Sequence, residues 1–210
     1  MGKKTINLGH FEPATRAMGP GLRACLWVRG CRIRCPGCIS PFYLDQDPKA
    51  DIALWRMLQK IRKAKEEYGI EGISISGGEP FDQAIVLSEL CEAVHILGLS
   101  TLAWSGYTRR RLEGRRASRG TQNLLQHIDV LIDGPFQIRH HTEGLPLRGS
   151  GNQRIHLLTD RYCMDDLSGS HLEVRMHENR AVQITGVTDY SKALAILNLM
   201  GLDGHTAMSR

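Results

Sequence analysis

Three cysteines fall within eight residues in Gly30-Cys31-Arg32-Ile33-Arg34-Cys35-Pro36-Gly37-Cys38, spaced by three residues and then by two. Thiolates are natural ligands for iron–sulfur clusters, and one compact loop lets several converge on one cluster. A purely electron-transferring cluster takes four cysteines, and here only three are close. Three ligands leave one iron with an open coordination position, which is what a catalytic metal requires. The competing reading is zinc, completed by His10, His95 or a histidine near residue 140. Zinc sites usually arrive as two paired cysteine motifs, and the chain has no second pair. The other three of the six cysteines are scattered. Cys25 and Cys91 lie in strand and helix patterns and read as small buried hydrophobes.

A second group of chemically suited residues follows about forty positions on. Gly77 and Gly78 let the backbone come close to a ligand. Glu79 offers an acceptor for an ammonium group, and Pro80 closes the turn. Further along stand Ser105 and Tyr107, then Asp133, then Arg148, Asn152 and Gln153. Tyr107 reads equally as a packing or turn residue. Asp133 reads as a cofactor or cation ligand or as an organiser of the next loop, and Arg148 as a ligand contact or a fold stabiliser.

These residues need elements to hold them. Leu22 to Arg29 reads as a strand led in by Gly19-Pro20-Gly21. Asp51 to Tyr68 reads as a helix capped by Asp51, with Ile52, Trp55, Leu58 and Ile61 at helical spacing. Ile70 to Ser76 is a strand ending at Gly77-Gly78. Phe81 to Leu97 is a helix offering Ile85, Leu87, Leu90, Val94 and Leu97 for burial. Leu99 to Trp104 is a strand, Thr108 to Ile128 contains helix broken near Gly114 and Gly120, and Asp129 to Asp133 and Gln153 to Leu158 are strands. Strand and helix alternating in this way predict parallel βα units. Ligands in such folds gather at the carboxyl ends of strands, and four of these groups sit there: the cysteines, Gly77 to Pro80, Ser105 to Tyr107, and Asp133. From Thr159 the character changes. His171 to Met176 and Ala181 to Thr185 read as a hairpin joined at Glu178-Asn179, able to extend the sheet, and Tyr190 to Met200 as a helix. The expected division is 1–160 for the main domain and 161–210 for a small C-terminal extension.

The 210 residues carry a formal charge of +5 and include no apolar run of membrane-spanning length. The N-terminal lysines have no apolar stretch behind them, so the expected compartment is the cytoplasm. In that reducing setting clustered cysteines favour metal over disulfide. A basic chain suits an anionic partner. The excess at Arg109, Arg110, Arg111, Arg115, Arg116 and Arg119 lacks interleaved aromatics and reads as a solvated helical face, which disfavours nucleic acid.

The ordered motifs identify a resemblance. Cys-x3-Cys-x2-Cys after the first strand and Gly77-Gly78-Glu79-Pro80 after the second resemble the radical S-adenosylmethionine superfamily. Gly19 to Arg23, Trp104 to Tyr107, Val130 to Gly134 and Arg148 to Arg154 are similar to the activating components of anaerobic ribonucleotide reductase and, more distantly, of pyruvate formate-lyase. The resemblance covers about residues 5 to 158. It implies a shortened, incomplete (βα) barrel, open on one side for a large partner. It implies a 4Fe-4S cluster on Cys31, Cys35 and Cys38, with the methionine part of S-adenosylmethionine on the open iron and its amino group held at Gly77–Pro80. Ser105, Asp133, Arg148 and Asn152 would make further cofactor contacts. The implied reaction takes an electron from a flavodoxin-type donor, cleaves the cofactor to a 5'-deoxyadenosyl radical, and moves a hydrogen atom from a glycine Cα of a glycyl-radical enzyme. The chain departs from the pattern at Met18, at Gly134-Pro135 after Asp133, and in continuing through Asp160 to Arg210. Those departures keep open a small-molecule or peptide substrate. A zinc or iron–sulfur binding module without catalysis is the third alternative.

Overall fold

A computed structural model describes residues 4–142, 144–169, 172–176, 182–187 and 190–199. The elements run β1 (Thr5–Thr15), β2 (Arg23–Val28), β3 (Asp51–Ala53), α1 (Leu54–Tyr68), β4 (Gly72–Gly77), α2 (Ala84–Ile96) and β5 (Ser100–Ser105). They continue through α3 (Arg109–Leu112), α4 (Arg119–Gln126), β6 (Val130–Asp133), β7 (Arg154–Leu157), β8 (Glu173–Met176), β9 (Val182–Thr185) and α5 (Tyr190–Leu199). The first seven strands form one sheet in the order β3-β1-β2-β4-β5-β6-β7. Its centre, β2-β4-β5-β6, is parallel, and β1, β3 and β7 run antiparallel to their neighbours. The sheet is therefore mixed and has two edges, β3 and β7, among the described residues.

The parallel strands are buried on both faces, as the apolar runs of β2 and β6 require, and β4 alternates isoleucine with serine yet buries Ser74 along with Ile73 and Ile75. Leu26, Ile73, Ile75, Leu87, Leu90 and Leu131 form the main core with Met57 and Ile61 of α1. A smaller cluster of Leu102, Val130, Ile132, Leu147 and Leu167 fills the other side.

Several expectations change. The strand β1 was not legible, because Thr5–Thr15 mixes polar and apolar residues without clean alternation. Asp51 begins a short strand and does not cap α1. Its carboxylate accepts from Asn7 Nδ2 (2.6 Å) and Thr5 Oγ1 (3.3 Å), and its backbone pairs with β1. On α1 the buried residues are Met57, Ile61 and Ala64, and Trp55 is exposed. Residues Pro80–Gln83 form a 3-10 turn, so α2 starts at Ala84 and leaves Ile85 71% exposed. The helical break lies between α3 and α4, and Gly120 is inside α4. The β8–β9 hairpin is a separate two-stranded sheet and does not extend the main one. Its expected turn at Glu178-Asn179 lies outside the described residues, as does Met200.

The hairpin packs on the second half of β1. Arg175 pairs with the buried Glu12, and Gln183 Nε2 donates to the same carboxylate (2.7 Å). Glu173 accepts from Thr15 Oγ1 (2.7 Å) and Arg16 N (2.6 Å). At the start of β2, Arg23 is fully buried and no carboxylate among the described residues hydrogen-bonds its guanidinium. Its guanidinium donates to Ser74 Oγ, Ser100 Oγ, Ile73 O, Pro20 O and the Tyr162 hydroxyl. Burial pulls its pKa down, and Tyr162 opposes that.

Candidate active site

The cysteine loop leaves β2 through Gly30, whose φ of +90° favours glycine. Gly30 N donates to Tyr43 O (2.8 Å) and Cys31 N to Leu44 O (2.9 Å), so both ends of the loop are pinned together. Arg34 takes a left-handed φ of +50° and pairs with Asp45. Cys38 N closes a turn on Cys35 O (3.1 Å), and the Cys38 sulfur accepts from Ser40 N (3.4 Å). The three thiols are free and partly exposed. Burial pushes the Cys35 thiol up, a backbone N–H from Phe136 lowers it, and the Cys38 and Cys31 charges raise it again. The thiols thus share one loop and one charge field. Among the described residues no three His, Cys, Asp or Glu side chains stand in ready metal-binding geometry.

Gly77 and Gly78 make a close approach that a Cβ would prevent. A Cβ on Gly77 would lie 2.4 Å from Val28 O, and one on Gly78 would lie 2.4 Å from Gly30 O and 2.8 Å from Tyr43 O. The glycines therefore seat the end of β4 against the root of the cysteine loop, where Glu79 N donates to Gly30 O (2.8 Å). Pro80 is buried in the turn that follows.

Glu79 is 1% exposed. Its Oε1 accepts from Phe81 N and the Ser105 hydroxyl (both 2.9 Å), and its Oε2 accepts from Gly106 N (2.8 Å). Burial raises its pKa to about 7 against those three hydrogen bonds, which favour the carboxylate. Ile33 of the cysteine loop lies over Gly106, within 2.6 Å of where a Cβ would stand. The carboxylate and the cysteine loop are thus direct neighbours. Ser105 sits behind Glu79 and also accepts from Tyr107 N (3.0 Å), so its visible work is to orient that carboxylate.

On the other flank, the segment from Gly134 to Gln153 lies against the same loop. Ile138 abuts Gly37, and Ile39 abuts Gly149. Gln153 folds this segment by accepting from Gly149 N (2.8 Å) and donating to Gly134 O (3.0 Å). Asp133 accepts from Arg109 N at the start of α3, and its other oxygen lies 3.0 Å from His156 Nε2. Its contacts tie the start of α3 to β7, and they lie in the connection before Asp133 and in the neighbouring strand. Asn152 Nδ2 donates to Pro135 O (2.8 Å), and its buried Oδ1 has no partner among the described residues. The buried Nε of Arg148 and Oε1 of Gln137 have none among them either. One donor and two acceptors of this segment are therefore left for a ligand, since buried polar atoms without partners are costly. With three free thiols alongside, the donor set fits a cluster and a polar cofactor.

Two residues that the motifs did not flag hold these parts together. Asp82 accepts from Arg32 N (3.0 Å) in the cysteine loop and from the Tyr107 hydroxyl (2.9 Å) after β5. Gln83 donates to Asn7 O and Arg29 O and accepts from Asn7 N. Both lie in the 3-10 turn Pro80–Gln83, and polar side chains at the opening of a helix were the available signal.

Comparison with known proteins agrees with this assembly. A family described as a 4Fe-4S single cluster domain matches residues 17–156. The chain is 33% identical to an anaerobic ribonucleoside-triphosphate reductase-activating protein of Vibrio cholerae, over 73% of this chain and 99% of that one. It is 30% identical to the Escherichia coli protein of the same description, with the same coverage. A pyruvate formate-lyase-activating enzyme of Staphylococcus aureus is 25% identical over 71% of this chain and 59% of its own length. No helix among the described residues is long and apolar enough to cross a membrane. Cysteine loop, buried glutamate and family match converge: the chain belongs to the 4Fe-4S single-cluster domain family, in its radical S-adenosylmethionine activase group.

Proposed function

We propose that this chain installs a glycyl radical on a partner enzyme of the anaerobic ribonucleoside-triphosphate reductase kind. The observation that carries the reading is the cysteine loop bound directly to the buried Glu79 turn, in a chain that aligns with nearly the whole length of a reductase-activating protein. In this reading Cys31, Cys35 and Cys38 hold a 4Fe-4S cluster. Gly77, Gly78, Glu79 and Pro80, backed by Ser105, receive the methionine end of S-adenosylmethionine, and Asp133, Arg148 and Asn152 border the rest. When bound, the cluster supplies the electron that cleaves the cofactor to methionine and a 5'-deoxyadenosyl radical.

The chain's own residues prepare that event. Glu79, with a pKa of about 7, holds a proton part of the time at neutral pH. A cation placed beside it favours the carboxylate and releases the proton. The Ser105 hydroxyl and the Phe81 and Gly106 amides hold the carboxylate in one orientation. Arg148 Nε and Asn152 Oδ1 offer a donor and an acceptor for a polar ligand. The four parallel strands form the wall of a shortened, incomplete barrel open to a protein partner, with a flavodoxin-type donor as the electron source in the cytoplasm. Residues 161–210 form a C-terminal extension to a core of residues 1–160, a division supported by the end of the family match at residue 156.

Anaerobic incubation with S-adenosylmethionine, a reductant and the partner enzyme tests this. Expected are one 5'-deoxyadenosine per radical formed and a glycyl signal in the partner by electron paramagnetic resonance. A partner that stays silent while the cofactor is consumed would overturn the assignment of target, and failure to consume the cofactor would overturn the radical chemistry itself.

A further inference from the structure

A cleft of about 920 Å³ opens between the start of α2 and the α3–α4 segment. It is lined from one side by Arg32 of the cysteine loop and from the other by Arg111 and Arg116. Its acidic residues are already engaged. Asp82 accepts from Arg32 N and the Tyr107 hydroxyl, and Glu89 takes Lys4 Nζ on both oxygens at 2.7 Å. No acidic side chain among the described residues pairs with the guanidinium of Arg32, Arg111 or Arg116. Arg111 is not freely solvated, since it lies 4.1 Å over the Tyr107 ring. Stacking of that kind holds a planar donor fork in place. The apolar part of the lining includes Ile85, which is 71% exposed although it begins a helix packed on the core.

Guanidinium groups recognise phosphate by paired, charge-assisted hydrogen bonds. A concave site of this volume with an apolar wall suits a small organic molecule better than a flat protein contact. We propose that this cleft binds a polyphosphate-bearing small molecule, its anionic chain held by Arg32, Arg111 and Arg116 and any organic body resting on Ile85. The cleft adjoins the Glu79 turn, being lined by Phe81, Asp82 and Gln83 of the 3-10 turn that Glu79 caps and not by Gly77–Pro80 themselves. The two communicate through Asp82, whose carboxylate holds the backbone of Arg32 between Cys31 and Cys35.

The test is calorimetric titration of the anaerobically purified full-length chain with inorganic tripolyphosphate and, separately, with a ribonucleoside triphosphate. Saturable one-to-one binding is expected, weakened about tenfold or more by Arg111→Gln or Arg116→Gln. Arg110→Gln and Arg115→Gln, which remove the same charge outside the cleft, should leave affinity within about twofold. Tighter binding of the nucleotide assigns it as the ligand, and equal binding assigns the phosphate chain alone. No saturable binding would overturn the proposal. So would equal weakening by all four variants, or equal binding of an acidic peptide, because either would mean diffuse attraction to a basic surface. Circular dichroism of each variant separates lost binding from lost folding.

Discussion

Replacing Glu79 by glutamine should change how stability depends on pH, and the size of the change follows from the site. In the native chain burial lifts the Glu79 pKa from 4.5 to about 7, against three hydrogen bonds that favour the ion. The unfolded chain has no such burial and binds the proton more weakly. Between about pH 4.5 and 7 the native state therefore carries more protons than the unfolded state, and stability falls as pH rises through that window. Each pH unit is worth at most about 1.4 kcal/mol, so the whole window is worth roughly 3 kcal/mol. Glutamine cannot titrate, and Glu79→Gln should lack this contribution. The variant will also lose absolute stability, because its amide NH2 would face the Gly106 N–H. The readout is consequently the difference between the two proteins as a function of pH, in which every other titrating group cancels. Urea unfolding of the ligand-free chains from about pH 5 to about pH 8.5 gives it. The advantage of the native residue should shrink steadily up to about pH 7 and then level off. A flat difference would mean that Glu79 is not buried as described. A difference that grows with pH would place its native pKa below 4.5 and refute the balance in which burial wins.

Other outcomes follow from the same geometry. Asp82→Ala removes the acceptor of the exposed Arg32 N–H and of the half-buried Tyr107 hydroxyl. It should cost about 0.5–1.5 kcal/mol of stability and lower iron bound per chain after reconstitution, with Asp82→Asn recovering much of the iron. Gly78→Ala forces a methyl to within 2.4 Å of Gly30 O and should destabilise by about 1–3 kcal/mol and reduce iron content, read by thermal unfolding and metal analysis. Alanine at Cys31, Cys35 or Cys38 should abolish cluster absorbance, whereas Cys25→Ala, Cys91→Ala and Cys163→Ala should retain it, because the first two thiols are buried in β2 and α2 and the third lies far along the chain. Tyr162→Phe removes one acceptor from the buried Arg23 and a 2.6 Å hydrogen bond to Ser100. It should lower stability by about 1–3 kcal/mol in denaturant without changing iron content.

The cysteine loop and the Gly77–Pro80 turn were legible because their chemistry is local: spacing alone brings three thiols onto one loop, and strand ends place the turn beside it. The parallel strands were legible from their apolar runs. What escaped is what depends on pairing across the chain. Thr5–Thr15 forms a strand because β2 and β3 flank it, and its own pattern is too polar to say so. Asp51 looked like a helix cap because nothing local reveals that Asn7 and Thr5 claim its carboxylate. Ile85 looked like a core residue by spacing, but the 3-10 turn at Pro80–Gln83 rotates the start of α2 and leaves it on the wall of a cleft. Asp82 and Gln83 drew no expectation from the sequence, and only the tertiary contacts show them tying β1, β2 and β5 to the cysteine loop.

The buried Arg23 sets a condition on synthesis. Its guanidinium lies in β2, among the first strands to leave the ribosome, while the Tyr162 hydroxyl that completes its acceptor shell is made almost 140 residues later. Chains emerge N-terminus first, at about 5–20 residues per second. Ile73, Ser74 and Ser100 supply acceptors well before Tyr162 does, so for about 3–12 seconds after Ser100 is made a nascent chain that buried this cation would do so one acceptor short. The acceptor shell of Arg23 is complete only once residue 162 has been made, so the centre of the parallel sheet depends on a side chain from beyond its last strand.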